Sequence, residues 1–374
     1  MFYVDFWKGE LRLQKRKRQS NLELLRIISM FFIVLHHFAY HGSMTWACKY
    51  SKDLIQSERV YVLLCCLGKA AVVSFVLIGA YFLSKKRFKL LRIVNLGETT
   101  FIYSWLIYLV LLFSYPSIVK PISAMSVCLP IPLPSNYWFV IAYLYMLLFM
   151  PFMNLLLDKL NRRQLLVILV CLFVLWNILQ FVPSNKPDND QWNFFSNNNY
   201  FLFLYLIAGY IRKYQPILVD TLFKSFIAFL VSIIIIAIVI FEISRSNYLF
   251  ISSFMATLNN PFSLMLGVFI FCLFRKINLG VVKTINFISQ SMFGVYLIHD
   301  NPFVRDLLWH KIINNAYYNS NGATYLIYGI IVSLSIFFIC ILIDSIKRYV
   351  IDRSVNKILA KYTRSFVTWS RNGK

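Results

Sequence analysis

Ten stretches of apolar residues, most of them close to 20 residues long, alternate with short polar segments along this chain. They lie near 21–41, 60–83, 96–114, 137–156, 164–182, 199–211, 219–241, 252–274, 285–308 and 324–346. About 20 consecutive apolar residues in a helix cross the hydrocarbon of a bilayer, so each run reads as a membrane span. The sixth run is short, and the ninth is interrupted by Asp300, Pro302, Arg305 and Asp306. The pattern predicts an all-α, polytopic membrane protein with about ten transmembrane helices. No internal repeat is visible, which disfavours transporters built from inverted repeats.

Composition agrees with that reading. Of 374 residues, 59% are hydrophobic and 14% charged, too few polar side chains to cover a soluble fold of this size. A formal charge of +23 raises nucleic acid as a partner. The basic residues, however, sit in clusters between apolar runs and form no stripe on a polar element, so no nucleic-acid partner is expected. Segments on the N-terminal side of the ten-span arrangement hold 27 Lys and Arg residues, against 7 in the opposite loops. The positive-inside rule then places both termini in the cytoplasm of a multi-pass protein of the cell membrane.

This organisation gives a basic cytoplasmic arm (1–20), a transmembrane domain (21–346) and a basic cytoplasmic tail (347–374). The arm's run Lys15-Arg16-Lys17-Arg18 leads into an apolar segment with no small-residue cleavage site, so it reads as an uncleaved first span rather than a signal peptide. Seven cysteines show no metal-binding spacing, and no metal is expected. Cys48 and Cys128 fall in outer loops, where pairing stays open.

The chemistry gathers in the first span, NLELLRIISMFFIVLHHFAYHG. Ionisable groups are costly in a bilayer, yet this span carries Glu23, Arg26, His36, His37 and His41. Arg26 and His37 are 11 residues apart, about 1100° of rotation and within ~20° of three full turns, so they share one helix face. His36 projects about 80° away from that face. Ser20 and Glu23 fit a capping box, and Glu23 also stands three residues before Arg26, where an ion pair forms. Arg26 could equally snorkel to headgroups. An imidazole titrates near neutrality and suits deprotonation of a hydroxyl, while an arginine suits a phosphate. Together they outline a route from an anionic donor at one end of the span to an acceptor near the other.

At these residues the chain resembles the integral-membrane acyltransferase-3 family, which O-acylates glycans and related acceptors. The family's first-helix signature is an arginine, ten intervening residues and a histidine, matched by Arg26 and His37, with Glu23 at the acidic position before them. GKAAVVSFVLIGAYFLSKK resembles the second-helix segment, with Gly79-Ala80 in place of the usual Ser-Gly. KLLRIVN resembles an R-x-x-R-x-x-P motif, with Lys89 for the first arginine, Arg92 matching and Asn95 for the proline. YWFVIAYLYMLLFMPFMN and SQSMFGVYLIH match two further segments, the second ending at His299. Each motif is short; their order over ten spans carries the resemblance.

The resemblance implies an acyl-CoA donor, most often acetyl-CoA, and a glycan or glycolipid acceptor. Arg26, Lys89 and Arg92 would hold the donor, with Lys85, Lys86 and Arg87 as weaker contacts. Arg26 and His37 would be catalytic, with Glu23 and His299 supporting; His299 reads more readily as the end of an outer helix turn than as part of the acceptor cavity. Tyr137 and Trp138 read as interfacial anchors. Some members carry a fused extracellular hydrolase-like domain, and none is read here, so the acceptor would be acylated directly or through polysaccharide-assembly proteins. The expected activity is membrane O-acetyl transfer in polysaccharide biosynthesis. Transport of a glycan or lipid without acyl transfer fits the same spans, whereas few outer-loop charges argue against a glycan polymerase.

Overall fold

A computed structural model describes residues 19–42, 55–119, 128–129, 136–179, 196–243, 254–313, 315 and 321–352. Most of the basic arm, most of the tail and Cys48 lie outside these residues; Cys128 is a free, buried thiol. Among the described residues the fold is all-helical. The helices are α1 (Ser20–Tyr40), α2 (Ile55–Leu83), α3 (Leu91–Ser114), α4 (Trp138–Lys159), α5 (Arg162–Phe173), α6 (Asn197–Tyr214), α7 (Leu222–Ile243), α8 (Pro261–Lys276), α9 (Lys283–Ile288), α10 (Met292–His299), α11 (Pro302–Asp306) and α12 (Gly322–Lys347).

Every expected apolar run has a helical counterpart here. Six helices, α1, α2, α3, α4, α7 and α12, are long and apolar enough to cross a membrane. α5 continues through a π turn at Val174–Ile178, α8 has 16 residues, and the ninth run breaks into α9, α10 and α11. The molecule is a multi-pass membrane protein whose apolar side chains face outward as well as inward. Phe113, Phe223, Ile234, Phe338 and Leu342 all stand exposed on the helix surfaces. In water such faces would be liabilities; in lipid they are the solvent-facing surface.

With no hydrophobic force between helices in lipid, close packing and internal hydrogen bonds hold the bundle. α1 and α2 are its most enclosed spans and pack along each other. Gly68 of α2 meets His36, where an added Cβ would lie 2.1 Å from the His36 Cβ. α2 also packs on α8 through small residues: Ser263 Oγ donates to Cys66 O at 3.0 Å, and a Cβ on Gly267 would lie 2.7 Å from Ala70 O. Gly79 lies against Tyr143, where its Cβ would meet the hydroxyl at 3.2 Å, so the Gly79-Ala80 pair keeps the close approach expected of small residues.

Helix starts follow side-chain caps. Asn161 and Gln164 form a reciprocal capping box on α5, and Asn260, Asn301 and Asn321 cap α8, α11 and α12. The capping box expected at Ser20 and Glu23 does not form. Ser20 is already helical, its Oγ donates to Asn286 Oδ1 at 3.2 Å and accepts from Val282 N at 2.8 Å, tying α1 to the start of α9. Glu23 makes the alternative contact, with Arg26.

Candidate functional site

The break in the ninth run builds the site. Pro302 has no N–H and prefers the first turn of a helix, so α10 stops at His299 and α11 restarts under an Asn301 cap. The turn directs His299, Asp300 and Asn301 into the bundle, each at most 1% exposed. The backbone carbonyls of this broken segment find partners. Val295 O faces His299 Nδ1 at 2.6 Å, Leu297 O accepts from the Tyr137 hydroxyl at 3.0 Å, and Asp300 O accepts from Arg305 Nη2 at 3.1 Å. Tyr137 is therefore buried, and its hydroxyl also accepts from Asn301 Nδ2 at 2.7 Å. It is no interfacial anchor. Trp138 is half-buried against Phe139 and Phe201.

His37 meets this turn from α1. Its Nδ1 lies 2.9 Å from His299 Nε2 and 3.6 Å from Asp300 Oδ1. The hydrogen bonds assign the tautomers in sequence. A carbonyl accepts only, so His299 Nδ1 carries its proton toward Val295, and its Nε2 presents a lone pair. His37 Nδ1 then carries a proton and donates to that lone pair, which leaves His37 Nε2 as the basic nitrogen. His299 does end its helix, as expected, but it also orients the His37 ring. His41, one turn beyond His37, places its Nε2 3.7 Å from Asp300 Oδ1. His36 goes elsewhere, stacked on Tyr40 at 5.2 Å and packed on Gly68.

His37, His41 and Asp300 offer donor atoms within 4.8 Å of one another, a set that could suit a divalent cation. Their surroundings oppose one. Arg305 Nε occupies Asp300 Oδ1 at 3.0 Å and brings its own positive charge, and His37 Nδ1 is engaged by His299. The group is better matched to proton transfer.

The other end of α1 carries the second half. Arg26 Nη1 pairs with Glu23 Oε2 at 2.6 Å. Arg92 on α3 donates to Arg87 O at 2.8 Å and approaches Met150 Sδ at 3.7 Å. Both guanidinium charges reach the Tyr143 hydroxyl of α4, although Arg26 and Arg92 lie on different helices. Lys89 is half-buried and Lys85 and Arg87 are exposed at the start of α3. Phe139 and Phe201 from α4 and α6 pack at 5.3 Å, and Phe139 meets Tyr143 at 6.0 Å and Tyr296 at 5.4 Å. Tyr296 in turn touches the His299 ring at 6.4 Å, so an aromatic file links the arginine end to the histidine end.

Two features escaped the reading of the sequence. Asp300 and Arg305 registered only as interruptions of a span, yet they form the ion pair beside His37. Lys69, within α2, acts on Asp300, His36 and His41. A lysine inside a 24-residue apolar run was the available signal, since intramembrane charges are functional by default.

A family model described as an acyltransferase domain (Acyl_transf_3) matches residues 19–344. No curated protein and no solved structure matches the chain. The matched region begins one residue before α1 and takes in both the arginine end and the histidine end of the site, and the chain belongs to the acyltransferase-3 family of membrane acyltransferases.

Proposed function

We propose that this protein moves an acyl group, acetyl in the simplest case, from cytoplasmic acyl-CoA to a hydroxyl of a cell-surface or lipid-linked glycan. The observation that carries this reading is the His37–His299 hydrogen bond, which leaves His37 Nε2 as a base on the helix face that also bears Arg26. Membership of an acyltransferase family supports transfer over transport. The charge partition of the loops supports a cytoplasmic position for the Arg26 end.

Acyl-CoA supplies an acyl carbon activated as a thioester. Arg26 and Arg92 suit its phosphates, because a guanidinium makes charge-assisted, forked hydrogen bonds to phosphate oxygens and both charges reach the same end of α4 at Tyr143. His37 Nε2 takes the proton of the acceptor hydroxyl as that oxygen bonds to the acyl carbon. His299 accepts the Nδ1 hydrogen throughout, and Asp300 stabilises the imidazolium from 3.6 Å. His37 then returns the proton to the sulfur released when the C–S bond breaks. The acceptor oxygen thus attacks directly, with no covalent enzyme intermediate.

The test is transfer of labelled acetyl groups from acetyl-CoA into the glycan fraction of membranes containing the protein. Label in the glycan that depends on His37 supports the reading. Export of an unmodified glycan with no use of acyl-CoA would replace it with transport.

A further inference from the structure

Four basic residues lie within the ten apolar runs: Arg26, Lys69, Lys224 and Arg305. Three have a carboxylate partner. Arg26 pairs with Glu23 at 2.6 Å, Lys224 with Asp220 at 2.9 Å and Arg305 with Asp300 at 3.0 Å. Lys69 has none among the described residues. Its ammonium lies 5.3 Å from the centre of the Tyr40 ring, and Cys65 stands one turn earlier on α2. The Asp300–Arg305 pair is self-neutralising, so with neutral imidazoles the histidine end carries one uncompensated positive charge. An unpaired cation in a low-dielectric site is costly and is offset when an anion binds.

Lys69 also stands where an acceptor would arrive. It is level with the last turn of α1, beside Tyr40, which is 40% exposed, while His37 is 6% exposed. An exposed aromatic ring next to a cation suits a sugar bearing a negative group: the part of the Tyr40 ring left open beside His36 and Lys69 borders the sugar, and the ammonium takes the anion. Its charge acts on His36, His41 and Asp300, the residues that surround His37.

We infer that Lys69 and Tyr40 form an anion subsite for the acceptor, so that the hydroxyl acylated at His37 belongs to a negatively charged glycan or glycolipid. The inference rests on the acyl-transfer reading for the word acceptor, but the subsite itself is testable without turnover. The anion is a carboxylate of an acidic sugar or a phosphate of a lipid carrier, one chemistry from two sources.

The experiment measures binding to the full chain in lipid nanodiscs. Glucuronate against glucose forms the carboxylate arm, and farnesyl phosphate against farnesol forms the phosphate arm. The wild type is expected to bind at least one charged probe tenfold or more tightly than its neutral counterpart, and the arm that responds identifies the source. Lys69→Gln should abolish that preference, Lys69→Arg should retain most of it, and acetyl-CoA binding should stay within twofold in both. No charged-over-neutral preference in the wild type overturns the inference, with no variant needed. A preference that survives Lys69→Gln does the same. Acyl transfer measured on the same preparation separates the two claims: transfer without anion preference removes only the subsite, and anion preference without transfer removes only the enzyme reading.

Discussion

His37 Nδ1 and His299 Nε2 lie 2.9 Å apart although 262 residues separate them in the chain. The bond joins the first span to the broken ninth, and in the proposed mechanism it makes His299 a positioning residue for the base rather than a base itself. Replacing His299 by Leu should lower turnover by about 10²-fold, the lower end of what a general base supplies. Gln, whose amide oxygen can still accept from His37 Nδ1, should recover part of that loss. A pH–rate profile checks the assignment. It should change shape in His299→Leu while acetyl-CoA binding does not, whereas a merely structural loss would lower binding and turnover together.

Donor binding should depend on Arg26 and Arg92. Arg26→Ala and Arg92→Ala are each expected to weaken acetyl-CoA binding by roughly 10- to 100-fold, since a hydrogen bond to a charged group contributes about 1.5–3 kcal/mol. The exposed Lys85 and Arg87 should matter far less when replaced by Ala. Titration of purified protein with acetyl-CoA gives the comparison, and equal effects at all four positions would mean a diffuse electrostatic field instead of a site.

The contact between Gly68 and His36 predicts a packing defect. Gly68→Ala places a methyl 2.1 Å from the His36 Cβ, so α1 and α2 must move apart. The expected cost is about 1–3 kcal/mol. A thermal unfolding curve in detergent should shift downward, and an unshifted curve would show that the two helices can separate freely.

Orientation rests on the charge partition between loops. Single engineered cysteines at 84–90 and in the C-terminal tail should react only with reagents that enter the cytoplasm, and cysteines at 183–198 only with impermeant reagents outside. Opposite sides for the two termini would remove the ten-span arrangement.

Much of the scaffold was legible because bilayer solubility writes itself as run length. α1, α3, α4 and α12 begin and end within a few residues of their apolar runs. The shared face of Arg26 and His37 was legible too, because it needs only helical phase. What packs against that face was not. His299 looked like a helix end because its partner comes from the far end of the chain. Asp300 and Arg305 looked like breaks because Pro302 does stop the helix, and only the fold turns that stop inward. Tyr137 has the residue type of an interfacial anchor, but its hydroxyl serves the carbonyl that the break exposes. At Ser20, a local cap lost to a long-range bond with the start of α9. Each miss involved a residue whose role is set by tertiary contact.

The central claim is that His37, and not its neighbour, is the base. His36 and His37 are adjacent in sequence but face different helices, His36 toward Gly68 of α2 and His37 toward His299 of α10. Loss of one polar group from a span leaves its backbone hydrogen bonds intact, so both alanine variants should insert and fold. The decisive measurement is glycan O-acetyl content by mass spectrometry in cells making equal amounts of each variant. His37→Ala should reduce it by about 10²- to 10⁴-fold, the range of general-base assistance, while His36→Ala keeps most of it. Normal O-acetylation with His37→Ala would contradict the account outright, and equal loss in the two variants would show that the helix face does not select the base.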